Sequence, residues 1–122
     1  MIHSDAMKVD ARGSVEIPVL APSGRITLGE STRGFQTAIE QAIDRGARHL
    51  IVDGSGIDYL DSTGIGELVA AVRRLRESGG RVGIVSPSAK LREILEITHL
   101  DNVFLVRDSE EALAEELGSV GA

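Results

Sequence analysis

The residues of this chain whose types and spacing could do chemistry concentrate in one stretch, Gly54-Ser55-Gly56-Ile57-Asp58-Tyr59-Leu60-Asp61-Ser62-Thr63-Gly64-Ile65-Gly66. Gly54 and Gly56 begin a phosphate-cradling G-x-G, but Tyr59 occupies the third glycine position, so the dinucleotide fingerprint is absent. No Gly-Lys-Ser/Thr occurs, which removes a P-loop. Ser55 lies between glycines, yet a nucleophile elbow needs glycine at positions 53 and 57, where Asp53 and Ile57 stand. His3, His49 and His99 have no partner at triad or metal-ligand spacing and read as surface or strand-edge residues. With no cysteine, a thiol nucleophile, a thiolate zinc site and a disulfide frame are excluded. No catalytic residue, metal site or cofactor is therefore assigned, and the chain is expected not to be an enzyme.

Asp53 ends an apolar run, the position at which response-regulator receivers accept phosphate. Such sites also need an acidic pair after the first strand for Mg²⁺ and a lysine near the last strand. Leu20-Ala21-Pro22-Ser23 and Arg107-Asp108 occupy those places. Asp53 is expected to bond loop amides instead.

Ser62 is the strongest candidate. It lies where a helix begins, among unpaired N–H groups with partial positive charge. A cap alone does not require it, because Asp61 and Thr63 can also cap. A phosphate on its hydroxyl would bring about 1.5 to 2 negative charges, tolerated by the helix start and repelled by Asp58 and Asp61. That changes the surface field without unfolding the domain. Gly66, inside the first turns, costs about 1 kcal/mol relative to alanine. Tight packing against a sheet explains it, and so does a bare surface open to another protein.

These residues need elements to hold them. Met1 to Gly13 shows no sustained period and reads as a flexible lead-in. Val15, Ile17 and Val19 alternate as a strand, Ala21-Pro22-Ser23-Gly24 has turn chemistry, and Arg25–Leu28 reads as a second, antiparallel strand. Phe35, Ile39, Ala42 and Ile43 form one helix face, closed by Gly46. His49–Asp53 is a strand buried on both faces. Gly54–Asp61 is a loop, leading to a helix with Ile65, Leu68, Val69, Val72 and Leu75 inward until Gly79-Gly80. Arg81–Val85 and Val103–Val106 are further strands, Ser88–Thr98 and Ser109–Leu117 further helices, the last capped by Asp108 or Ser109. The order β-β-α-β-α-β-α-β-α gives a single α/β domain over 14–118, with a five-stranded, mixed but mostly parallel sheet, four helices and a tail at 119–122.

Composition narrows the partners. The chain has 122 residues and a formal charge of −6, which argues against a nucleic-acid footprint. Three dispersed aromatics, Phe35, Tyr59 and Phe104, make no stacking platform for bases. No apolar run reaches the ~20 residues of a membrane span, and a secretory signal is not expected. A cytoplasmic location is expected.

Asp61-Ser62-Thr63-Gly64-Ile65-Gly66 resembles the Asp-Ser-Ser/Thr-Gly-Leu/Ile-Gly motif of the STAS family, specifically of the anti-sigma factor antagonists of bacterial partner-switching systems. The resemblance continues through Arg73–Gly80, Ser86–Ala89, Leu91–Thr98 and Leu100-Asp101, covering Val15 to Leu117. It implies the STAS fold and a phosphoprotein. Ser62 would be phosphorylated by an anti-sigma factor serine/threonine kinase, bound before modification and released after it. A PP2C-type phosphatase would reset the site. The implied partner surface comprises Thr27, Leu28, Asp58, Asp61, Ser62, Thr63, Gly64, Ile65 and Gly66. Thr27 stands where the family often carries aspartate, and Asp53-Gly54-Ser55-Gly56 replaces its commoner Asp-Leu-Ser. STAS domains also serve as accessory subunits of membrane transporters and as stress-sensing scaffold modules, the alternative role.

Overall fold

A computed structural model describes residues 8–119, so the expectations for His3 and for the outermost residues of both termini lie outside it. In chain order the elements are β1 (Lys8–Gly13), β2 (Pro18–Ile26), α1 (Glu30–Asp44), β3 (Leu50–Asp53), β4 (Ile57–Leu60), α2 (Ser62–Arg76), β5 (Val82–Val85), α3 (Ala89–Ile97), β6 (Leu105–Arg107) and α4 (Glu110–Ser119). The α/β class, the four helices and the mixed, mostly parallel sheet are as expected, but the sheet has six strands.

Three expectations change. Residues 8–13 are a strand, paired antiparallel with β2; their mostly exposed edge position leaves no apolar pattern to read. The hairpin turn falls at residues 14–17, where Ser14 Oγ accepts the Ile17 N–H at 3.0 Å. Ala21-Pro22-Ser23-Gly24 is therefore not a turn, and the two short strands expected around it are one continuous β2. Pro22 fits because β2 pairs with β3 at Val19 and Leu20 and with β4 only from Gly24 onward. Between those registers a missing N–H interrupts no ladder on that edge. Third, the expected loop 54–61 contains β4, which pairs parallel with the end of β2 after the chain leaves β3.

The strand order is β1-β2-β3-β5-β6. Adjacent residues face opposite sides, as strand geometry requires. Leu20, Val52 and Ile84 join one core with Phe35 and Ile39 of α1, Leu68 and Leu75 of α2, and Leu91 and Leu95 of α3. Val19, Ile51 and Val85 join Leu113 and Leu117 of α4 on the other side. The sheet is thus a middle layer between three helices and one. At Gly83 the sheet packs closely on α4, since a Cβ there would lie 2.8 Å from the Leu113 side chain.

Helix ends follow local chemistry. At the end of α1, Gly46 (φ +111°) turns the chain so that Ala47 N–H reaches Ala42 O and Gly46 N–H reaches Ile43 O, a Schellman closure. Ser88 Oγ accepts from Leu91 N–H and donates to Ile57 O at 2.6 Å, tying α3 to β4. Ser109, one of the two expected caps of α4, accepts the Ala112 N–H. His49 corrects the surface reading of that residue: it is buried before β3, and its Nδ1 accepts the Arg81 N–H at 3.0 Å. His99 is exposed, with φ +58°, just after α3.

Candidate functional site

The carboxyl ends of β2 and β4 bring two loops together, the location at which open α/β sheets commonly place function. Asp61 joins them. Its Oδ1 accepts the Thr63 N–H at 2.9 Å, the Gly64 N–H at 3.1 Å and the Thr63 hydroxyl. Its Oδ2 accepts the Leu28 N–H at 2.9 Å from the loop after β2, and its own N–H donates to Ile26 O at 3.1 Å. Asp61 is thus the N-cap of α2. The Thr63 hydroxyl, the Leu28 N–H and the two helix N–H groups hold its carboxyl down to about 2.

Hydroxyls carry the connection onward. Thr63 Oγ1 lies 3.1 Å from Thr32 Oγ1, and Thr32 donates to Thr27 O. Ser31 Oγ also donates to Thr27 O, at 2.9 Å, and accepts the Thr27 N–H at the same distance. Gly29 supplies no side-chain cap at the start of α1, where the Thr32 N–H donates instead to Thr27 O at 3.3 Å. Sequence reasoning passed over Ser31 and Thr32; a Ser-Thr pair just after a glycine at a helix start is the local signal for them.

Ser62 is the first residue of α2 and is exposed. Among the described residues its hydroxyl has no hydrogen-bond partner. Leu28, 80% exposed, stands at the tip of the neighbouring loop. Gly64 is buried, and a Cβ there would lie 2.9 Å from both Ile26 O and Leu60 Cδ2. Gly66 is exposed with nothing within 4 Å of its Cβ position. Of the two explanations for a helix glycine, tight packing belongs to Gly64 and the bare surface to Gly66. Ile65 is half-buried against the main core.

The structure thus brings together Thr27, Leu28, Asp61, Ser62, Thr63 and Gly64. Asp58 stands apart: it is exposed on β4 and hydrogen-bonds to none of them. On the neighbouring strand pair, the Arg25 guanidinium of β2 lies 4.7 Å from the Tyr59 ring centre of β4, a cation–π contact. Further along α2, partial burial and then the Glu40 charge push the Glu67 carboxyl up.

Asp53 does bond a loop amide, accepting Ser55 N–H at 3.0 Å and Ser55 Oγ at 2.8 Å. Arg12 of β1 adds an ion pair at 2.8 Å and also reaches Glu110 at the start of α4. Partial burial raises the Asp53 carboxyl, but Arg12 and Ser55 outweigh it and leave it lowered. Among the described residues, no three His, Asp or Glu side chains are grouped to hold a metal ion, and no helix is long and apolar enough to cross a membrane.

Known proteins share this architecture. A Thermotoga maritima protein named as a candidate anti-sigma factor antagonist is 22% identical over 102 residues, covering 84% of this chain and 90% of the relative. BtrV of Bordetella bronchiseptica, named in the same way, is 29% identical over 80 residues, 66% of this chain and 69% of BtrV. The anti-sigma factor antagonist SpoIIAA in its unphosphorylated form superposes with a TM-score of 0.75 at 22% identity, covering 95% of this chain and all of SpoIIAA. Its phosphorylated form gives 0.68 at 20% identity, over 91% of this chain and 99% of that one. The sequence profile of the STAS domain matches residues 8–113, from β1 into α4 and through the Asp61–Gly66 motif, and the chain belongs to the STAS domain family.

Proposed function

We propose that this chain is an anti-sigma factor antagonist whose binding is switched by phosphorylation of Ser62. The observation that carries the proposal is a division of labour at the start of α2. Asp61 and Thr63 are committed to the cap, whereas the adjacent Ser62 hydroxyl is exposed and unbonded. A kinase can reach Ser62 without dismantling the helix start; Thr63 is half-buried and donates to Asp61. The names of the Thermotoga and Bordetella relatives and the fold shared with SpoIIAA support the same reading.

In the forward step, Ser62 Oγ attacks the γ-phosphorus of ATP held by the kinase. The new O–P bond replaces the bond to the departing ADP, and the hydroxyl proton passes to a base of the kinase. A phosphatase of the PP2C type reverses the modification by hydrolysis, returning serine and inorganic phosphate. The phosphate would not take over the cap. The Thr63 and Gly64 N–H groups already serve the Asp61 side chain, and Ile65 N–H serves its carbonyl. About 1.5 to 2 negative charges would project beside an ionised carboxylate and change the field that a bound kinase meets, without drawing on the bonds that hold the helix start.

The chain itself acts as substrate and ligand and does no catalysis. Incubation with an anti-sigma factor kinase and ATP, followed by peptide mass spectrometry, tests the site. A single phosphate on Ser62, absent from Ser62→Ala, is expected. Phosphate on Thr63, or none on the folded wild type, contradicts the proposal.

A further inference from the structure

We propose that the opposite pole of the domain, at the amino ends of β5 and β6, binds a phosphate group, either as the free ion or as a simple phosphate ester. An open cavity of about 230 Å³ lies there, between the end of α2, Arg81 before β5, and Asn102 before β6. Its charged and amide side chains are Arg76, Arg81 and Asn102, and no carboxylate lines it. All three residues are exposed, and among the described residues none of their side chains has a hydrogen-bond or ion-pair partner. Arg12, Arg92 and Arg107 each pair with a carboxylate. The two guanidinium groups at this cavity have no carboxylate to balance them, in a chain whose formal charge is −6.

The surroundings fit an oxyanion. Arg76 ends α2, where the helix carbonyls would oppose a negative ligand. Here two of the last carbonyls already have donors: Leu75 O accepts Gly80 N–H at 2.7 Å, Ser78 N–H at 3.1 Å and Ser78 Oγ at 3.1 Å, and Arg76 O accepts Gly79 N–H at 3.0 Å. Gly80 fixes this turn, because a Cβ would lie 2.0 Å from Arg48 O. Arg73, one helical turn before Arg76, adds positive charge. Guanidinium groups match phosphate oxygens with paired N–H donors, and the Asn102 amide supplies another donor. The volume is below the ~300 Å³ at which whole small-molecule pockets begin, so it suits a phosphate with little attached.

Titration of the full chain at constant ionic strength, followed by amide NMR shifts, tests this site. Inorganic phosphate and ribose 5-phosphate are the two ligands, with chloride as the control. Saturable shifts at Arg76, Gly80, Arg81 and Asn102 are expected with at least one ligand, and an affinity loss of tenfold or more in Arg76→Ala/Arg81→Ala. Tighter binding of the ester identifies the ester as the ligand, and equal or tighter binding of phosphate identifies the ion. Arg107→Ala, at the other pole, should bind as wild type. Shifts that do not saturate, that chloride reproduces, or that survive in the double variant overturn the proposal.

Discussion

Gly64 and Gly66 are two residues apart in α2, about 200° around the helix, and face opposite environments. Gly64 presses on Ile26 and Leu60. Gly64→Ala should destabilise the domain by about 1–3 kcal/mol, read as a lowered urea midpoint. Gly66 has open space and gives nothing to the core. Gly66→Ala should stabilise the isolated domain by up to about 1 kcal/mol, while weakening capture of the kinase at least tenfold by placing a methyl group on the docking face. A tolerated Gly64→Ala, or a Gly66→Ala variant with unchanged kinase affinity, would show that the two roles are wrongly divided. The motif itself was legible because its residues are contiguous. The Asp61 bond to Leu28 was not, because those residues lie 33 positions apart and meet only through the sheet.

At the scale of elements, Asp61 fastens the start of α2 to the loop between β2 and α1. Its folded pKa lies below the ordinary aspartate range, at about 2. A carboxylate depressed in the folded state adds stability that is fully present above the unfolded value and lost as pH falls through the folded one. The stability advantage of wild type over Asp61→Asn should therefore be constant above pH ~4, shrink between about 4 and 2, and vanish below that. Urea unfolding of both proteins across this range measures it, and a gap independent of pH would contradict the ionic role. The same scale shows where sequence reading stops. The helices and β3 were legible because their apolar spacing matches a buried face. β4 was not, because Ile57–Leu60 is four residues long, follows a Gly-Ser-Gly break and alternates imperfectly. The mostly exposed β1 edge carried no pattern, and Pro22-Ser23-Gly24 has turn composition inside a strand that two different neighbours hold straight.

Across the whole molecule, the sheet sets two poles. The carboxyl ends of the strands gather Asp53, Asp61 and the free Ser62 hydroxyl, while the amino ends of β5 and β6 carry the Arg76 and Arg81 cavity. Composition alone reported a net charge of −6 and hid this separation, because linear order does not say which ends of which strands lie side by side. The acidity that argued against nucleic acid acquires a place: new charge at Ser62 would arrive beside a carboxylate already held ionised. The most direct test is the affinity of an anti-sigma factor kinase for the unmodified chain, for the stoichiometrically Ser62-phosphorylated chain and for Ser62→Ala, measured by calorimetry. Tight binding of the unmodified chain and Ser62→Ala is expected, with at least a hundredfold loss on phosphorylation and an unchanged fold by circular dichroism. Equal affinity of the phosphorylated and unmodified chains would contradict the switch.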